Sequence, residues 1–177
     1  MNDNIKVMIS AEELDKKVSE LAKQINEDYK GKTVSLLCVL KGGVVFTVDL
    51  AKKLDLDIEI DFMDISSYGD GTESTGVIKI NLDLEQPITG KHVLLVEDII
   101  DSGRTLSRVK KHLLGQRPAS FKICTLLDKP DRRVVNDAKP DYTGFVIPDE
   151  FVIGYGLDYA QKYRNLPYIG VLQPSEE

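Results

Sequence analysis

The chain has 177 residues, 42% of them hydrophobic, with 29 acidic against 23 basic side chains and a formal net charge of −6. That is enough apolar material for one domain spanning residues 1–177, and the negative balance argues against a general nucleic-acid binder, which works through a positive field. No apolar run approaches the roughly eighteen residues of a membrane span, and MNDNIKVMISAEELDKK carries no secretory core, so the expectation is a cytoplasmic protein with neither membrane nor nucleic acid as a partner.

Ser10 with Glu13 reads as a capping box, and Leu14, Val18, Leu21 and Ile25 then recur at helical spacing as far as Lys30-Gly31. The continuous apolar run VSLLCVL ends at Leu40-Lys41-Gly42-Gly43. It is followed by VVFTVDLAKKL, where Phe46, Leu50 and Leu54 share one face, so the order is strand, glycine turn, helix. IEIDFM alternates as a strand and VIKINL is a second. Between them SSYGDGTESTG has almost nothing to bury, which suits either a solvated hairpin loop or a mobile lid.

From Lys91 the order repeats: strand HVLLV, loop EDIIDSGR, then a helix from about Thr105 with Leu106, Val109 and Leu113 on one face and Gly115 as its stop. Strand FKICTLL, loop DKPDRR and a Tyr- and Pro-punctuated tail ending in YIGVL complete the chain. Apolar strands alternating with helices predict an α/β fold around a mainly parallel sheet. Cys38 and Cys124 lie inside apolar runs without metal spacing and read as reduced core residues; His92 and His112 also lack metal-like partners.

The stretch VLLVEDIIDSGRTL carries the chemistry. In open α/β sheets ligands sit beyond the carboxyl ends of the strands, and Glu97 and Asp98 lie where HVLLV should end. Asp101, Ser102, Gly103, Arg104 and Thr105 supply hydroxyls, a glycine that lets a ligand approach the backbone, a cation and the first free N–H groups of a helix, which together make an anion site. The spacing is neither G-x-x-x-x-G-K-[ST] nor G-x-G-x-x-G, so a P-loop NTPase and a dinucleotide fold are disfavoured. Acids and a phosphate cradle in one turn suit a ribose 5-phosphate, with vicinal hydroxyls for the carboxylates. The bland alternatives are a solvated strand end for the acids, a plain turn for Lys41-Gly42-Gly43 and a surface lysine at Lys129.

That stretch closely resembles the phosphoribosyl pyrophosphate (PRPP) signature of type I phosphoribosyltransferases, and EDIIDSG-x-T is similar to its form in hypoxanthine-guanine phosphoribosyltransferases. LKGG, SSYG, LLDKP and IPDEFVIGYGLDYAQKYR extend the resemblance to bacterial members from about Val7 to Val171. The resemblance implies a mainly parallel twisted sheet flanked by helices, with a small hood formed by the terminal segments and a mobile loop at Ser67 and Tyr68. It implies a Mg²⁺-dependent purine salvage enzyme that transfers ribose 5-phosphate from PRPP to hypoxanthine or guanine, and a homodimer or homotetramer.

By the same resemblance Glu97 and Asp98 meet the ribose hydroxyls, partly through Mg²⁺, and Asp101 is the general base near purine N7. Ser102, Gly103, Arg104 and Thr105 hold the 5-phosphate. Lys41, Gly42, Gly43 and Arg164 meet pyrophosphate, with a cis peptide at Leu40-Lys41 as a family feature. Lys129 reads the 6-oxo group, Phe151 stacks on the purine, main-chain carbonyls near Val152 and Asp158 read a 2-amino group, and Asp158 binds a second Mg²⁺. One departure is Pro130 after Lys129, where some relatives carry a basic residue; it should stiffen the loop behind the purine site. The rival readings are a xanthine- or adenine-preferring transferase, an RNA- or protein-binding regulator on the same fold, and a non-enzymatic α/β module.

Overall fold

The computed structural model describes residues 4–67 and 78–173. In chain order the elements are β1 (Ile5–Ile9), α1 (Ala11–Asp28), β2 (Val34–Leu40), α2 (Val44–Lys53), β3 (Ile58–Ser67), β4 (Ile78–Leu82), β5 (His92–Ile100), α3 (Arg104–Gly115), β6 (Ser120–Asp128), β7 (Tyr142–Val146), β8 (Val152–Ile153) and β9 (Ile169–Leu172). Tyr68 and most of the polar stretch around it lie outside the described residues.

The capping box forms as the sequence predicts. The Ser10 hydroxyl accepts from the Glu13 N–H at 3.2 Å, and the Glu13 carboxylate accepts from the Ser10 N–H at 2.8 Å. Leu14, Val18, Leu21 and Ile25 then bury one stripe of α1.

Six strands form the main sheet in the order β4-β3-β2-β5-β6-β7, all parallel except the edge strand β4. Phe46 and Leu50 of α2 join the stripe of α1 in a core against Leu36, Leu94 and Val96, whereas Leu106, Val109 and Leu113 of α3 pack with Leu37, Val93 and Leu95 in the other. Helices therefore cover both faces, which is why β2 is apolar at almost every position rather than at alternate ones. Cys38 and Cys124 are free and buried, as expected, and burial pushes the Cys38 thiol up to about 11. A second sheet, β1-β9-β8, joins the two ends of the chain as the expected hood.

Two features of the sheet position the site. The order of the parallel strands reverses between β2 and β5, the switch point at which open α/β sheets bind ligands. There the β2–β5 ladder stops at Cys38 and Val96, while β5 stays paired to β6 as far as Ile100 and Asp128. β2 and β5 thus part beyond Val96, on one side of β5.

Several boundaries differ from the sequence reading. β5 continues four residues past HVLLV, because Ile99 and Ile100 still find apolar partners, one in each core layer. Val96 and Ile99 lie in the same layer, so the alternation of the strand slips by one across Glu97 and Asp98. α3 begins at Arg104. β1, β7 and β8 carry weak sequence signals: β1 is largely exposed, β8 has two residues, and β7 is interrupted by Gly144, where a Cβ would lie 2.5 Å from the Leu126 carbonyl oxygen.

Candidate active site

The two acids of β5 follow the point where β2 and β5 part. Glu97 is only 9% exposed, and burial, reinforced by the neighbouring Asp98 charge, drives its carboxyl well above the usual range. Burial also raises Asp98, to about 6. The Ile99 N–H, donating to its Oδ1 at 2.7 Å, and the Arg164 cation pull it down, and the Asp158 charge pushes it up. Asp158 and Arg164, about sixty residues later in the chain, therefore face the same acid.

Beside them β2 ends in a cis peptide between Leu40 and Lys41 and passes through Gly42 and Gly43 into α2. A Cβ on Gly42 would lie 1.6 Å from Asp98 Oδ2, and one on Gly43 would lie 2.7 Å from the Val39 carbonyl oxygen. A side chain at Gly43 would meet the main chain and one at Gly42 would displace the Asp98 carboxylate, so the backbone is brought directly against the acid. The tail presses on this loop from outside: a Cβ on Gly156, at φ 102°, would meet the Gly42 carbonyl oxygen at 2.2 Å.

Beyond β5, Asp101 and Ser102 lead to Gly103, whose φ of 77° is left-handed and which opens α3 with Arg104 and Thr105 in its first turn. The Arg104 N–H, the first of α3, donates to Ser102 Oγ at 3.4 Å, and a helix start offers N–H groups without intrahelical partners, the feature that suits an anion. The loop is buttressed from the β6–β7 connection. Arg133 Nε donates to the Asp101 carbonyl oxygen at 3.2 Å, its other guanidinium nitrogens donate to Ala138 O and to the Asp128 carboxylate, and the Val134 N–H donates to Ser102 O at 3.1 Å.

At the end of β6 Lys129 is 7% exposed, and its ammonium donates to the Glu150 carbonyl oxygen at 2.6 Å with Asp149 at 3.7 Å. Pro130 starts a single 3₁₀ turn, Pro130–Arg132. Arg132 reaches from it to Asp101 at 3.0 Å and to Asp149 at 3.3 Å, and these carboxylates, Asp101 first, raise its pKa. Phe151 is 60% exposed and stands edge-on to Tyr159, with ring centroids 5.8 Å apart, which leaves ring surface for a flat ligand; Val152 is buried in β8.

The tail after β8 is tightly folded, with Tyr155, Ala160, Gln161 and Tyr163 all left-handed. Asp158 accepts from Arg164 at 2.8 Å and from the Gln161 N–H at 2.8 Å, and Arg164 also donates to the Gly156 carbonyl oxygen at 2.7 Å. Gln161 Oε1 lies 3.5 Å from both Lys41 Nζ and Arg164, linking the two cations. Ser67 closes β3, and its side chain lies outside the description.

The structure thus places Lys41, Gly42 and Gly43, Glu97 to Thr105 and Lys129 at the ends of adjacent strands, with Phe151, Asp158 and Arg164 arriving from the tail. Sequence reasoning passed over Arg132, Arg133, Asp149 and Gln161. The paired arginines of DKPDRR, directly after an apolar strand, were the available signal.

Comparison with known proteins agrees with this geometry. A family model for the phosphoribosyl transferase domain matches residues 10–160. The hypoxanthine-guanine phosphoribosyltransferase of Lactococcus lactis is 51% identical over 96% of this chain and 91% of its own. A crystal structure of such an enzyme from Bacillus anthracis, with a HEPES molecule in its active site, is 50% identical, covers 96% of this chain and 100% of that one, and superposes with a TM-score of 0.92. The chain is also 51% identical to part of the bifunctional protein TilS/HprT of Listeria monocytogenes, of which it spans only 26%. The chain belongs to the phosphoribosyltransferase family, and within it to the group of the hypoxanthine-guanine phosphoribosyltransferases.

Proposed function

We infer that the protein is a purine salvage phosphoribosyltransferase that converts hypoxanthine or guanine and PRPP into IMP or GMP and pyrophosphate, with Mg²⁺. The observation that carries this reading is one cluster of strand ends, at the switch point of the sheet, where the buried Glu97, the half-buried Asp98, a glycine-opened backbone and a helix-start anion site meet a lysine at the neighbouring strand end.

In this reading the bond between ribose C1 and the pyrophosphate oxygen breaks with its electron pair leaving on pyrophosphate. Purine N9 bonds to C1, and the purine proton at N7 passes to the Asp101 carboxylate. No covalent nucleophile is required, since holding both reactants in line supplies the entropy and placed charges stabilise the leaving group. Lys41 and Arg164 supply cations there, joined through Gln161. Ser102 to Thr105 hold the 5-phosphate, and Glu97 and Asp98 accept from the ribose hydroxyls. Lys129, an ammonium with donors only, matches the 6-oxo group, and Phe151 offers its ring to the purine.

The donor set fits a hard divalent cation. Glu97 and Asp98 are oxygen donors whose ionised forms burial disfavours, with Arg164 partly offsetting this at Asp98 and Asp158 adding to it. Among the described residues no three His, Cys, Asp or Glu side chains form a closed cage, and Mg²⁺ commonly takes its remaining ligands from substrate oxygens and water. Bound there, Mg²⁺ would supply the positive charge that pyrophosphate develops against. The reading includes one domain, a cytoplasmic location and a homodimer or homotetramer; no described helix is long and apolar enough to cross a membrane.

The test is product formation from PRPP with hypoxanthine, guanine, xanthine and adenine, each with and without Mg²⁺. Metal-dependent IMP and GMP formation is expected. A preference for xanthine or adenine would reassign the substrate, and no transfer to any purine would overturn the enzymatic reading.

A further inference from the structure

The 3₁₀ turn at Pro130–Arg132 sends a guanidinium directly into the site. Arg132 Nε lies 3.0 Å from Asp101 Oδ1, and its NH1 lies 3.3 Å from Asp149 Oδ2. The guanidinium is divided between two carboxylates instead of closing on one as a bidentate fork, so a single oxygen of Asp101 is engaged by it. Asp149 in turn lies 3.7 Å from the Lys129 ammonium, which is anchored on Glu150 O. Four charges of alternating sign, Lys129, Asp149, Arg132 and Asp101, thus run from one strand end to the next.

The backbone makes this arrangement stiff. Pro130 carries no N–H and a fixed φ, which suits the first position of a helical turn. The turn closes through the Arg132 N–H on Lys129 O at 3.1 Å and the Arg133 N–H on Pro130 O at 3.0 Å. The same segment is stitched to the β5–α3 loop by the Lys129 N–H on Ile100 O at 2.9 Å and the Val134 N–H on Ser102 O at 3.1 Å. Two consecutive arginines therefore hold one residue from two sides: Arg133 grips the main-chain oxygen of Asp101 and Arg132 its side chain. The main-chain grip fixes where Asp101 starts, and the side-chain grip fixes where its carboxylate points.

We propose that Arg132 is a positioning residue for the reaction, orienting the Asp101 carboxylate for proton acceptance from the purine, with Asp149 as the shared counter-ion that keeps Arg132 in place beside Lys129. This rests on the assignment of Asp101 as the proton acceptor. An Asp side chain free to rotate would spend part of its time turned from the purine, and a cation fixed on one oxygen removes that freedom before substrate arrives.

A double-mutant cycle measured by single-turnover kinetics with hypoxanthine and PRPP tests the proposal, because it isolates what Arg132 does through Asp101. Arg132→Met should slow the chemical step by about tenfold, with KM for PRPP changed by less than about twofold and an unchanged melting temperature. Arg132→Lys, which restores a cation without the planar fork, should recover part of the loss. In the Asp101→Asn background Arg132→Met should cost less than about twofold, since no proton acceptor remains to be oriented. If Asp101→Asn is slow and Arg132→Met costs the same factor in both backgrounds, Arg132 acts independently of Asp101 and the proposal falls alone. If Asp101→Asn keeps a normal single-turnover rate, the assignment of Asp101 falls and the proposal falls with it. A loss in Arg132→Met that appears only as a raised KM for PRPP makes Arg132 a phosphate ligand and also overturns the proposal.

Discussion

The carboxyl ends of β5 and β6 lie side by side, paired as far as Ile100 and Asp128, but they treat charge in opposite ways. On β5, Glu97 and Asp98 are adjacent acids raised by burial, and Asp98 is helped by the backbone N–H groups of Ile99 and of Asp98 itself and by the Arg164 cation. From the end of β6, Lys129, Asp149 and Arg132 lead across to Asp101 with alternating sign at 3.7, 3.3 and 3.0 Å. The first region is left short of positive charge and is completed by what binds to it. The second is neutralised from within and is already arranged. Under the proposed function, a site that grips a metal-complexed polyanion and also distinguishes a neutral base has use for both states.

The largest effect should come from withholding what the β5 end lacks. Excess chelator is expected to stop pyrophosphate release completely, and added Mg²⁺ to restore it; continued turnover under chelation would mean that Glu97, Asp98 and Asp158 need no cation. The β6 end is sharpened by Lys129→Gln. An ammonium leaves the donor amino group of adenine unpaired, and sites built on such a match reject the wrong group by factors of roughly 10⁴. The amide of Gln donates and accepts, so most 6-oxopurine activity should be lost while the preference over adenine narrows. An unchanged ratio of kcat/KM values would show that Lys129 does not read the 6-position.

A smaller effect is expected where the β2 loop touches the acids. Gly42→Ala puts a methyl where Asp98 Oδ2 stands, and overpacking of this kind costs about 1–3 kcal/mol. The kcat/KM for PRPP should fall by roughly tenfold or more, with little change in KM for hypoxanthine, and unaltered PRPP use would show that Asp98 can swing away freely.

The smallest effect is on stability, and its sign follows from the raised Asp98. Below the ordinary carboxyl value of 3.8 both the folded and the unfolded chain hold the proton and Asp98 costs nothing. As pH rises toward about 6 the unfolded chain ionises first, so stability falls, and above that range the full cost remains. Asp98→Asn should therefore raise the melting temperature of the metal-free protein at pH 7.5 by about 3 °C and leave it unchanged near pH 4. Equal melting at both pH values would mean that the β5 end is not strained by its own charge.

Much of this was legible in the sequence because it is local. The Ser10 and Glu13 cap, the stripe from Leu14 to Ile25, the unbroken apolar run of β2 and the helix start after Gly103 each follow from periodicity and from backbone groups seeking partners within a few residues. The placement of Glu97 to Thr105 and of Lys41 to Gly43 at strand ends follows from the same pattern. β1, β7 and β8 were not legible, since short or exposed strands exist only by pairing with segments far away in the chain.

The sequence by itself determined the long elements, among them α1, β2, α2 and α3, and that a turn with the features of an anion site falls between one strand and the next helix, because those choices minimise local cost. The tertiary structure alone decided that the β2–β5 ladder stops at Val96 while β5–β6 continues, that Gly42 lies against Asp98, that Asp158 shares its field, and that Arg132 reaches Asp101 across 31 positions. How far a ladder runs depends on the pairing of whole strands. Which charges meet depends on which loops the strand order brings to the same edge, and no window of sequence contains that information.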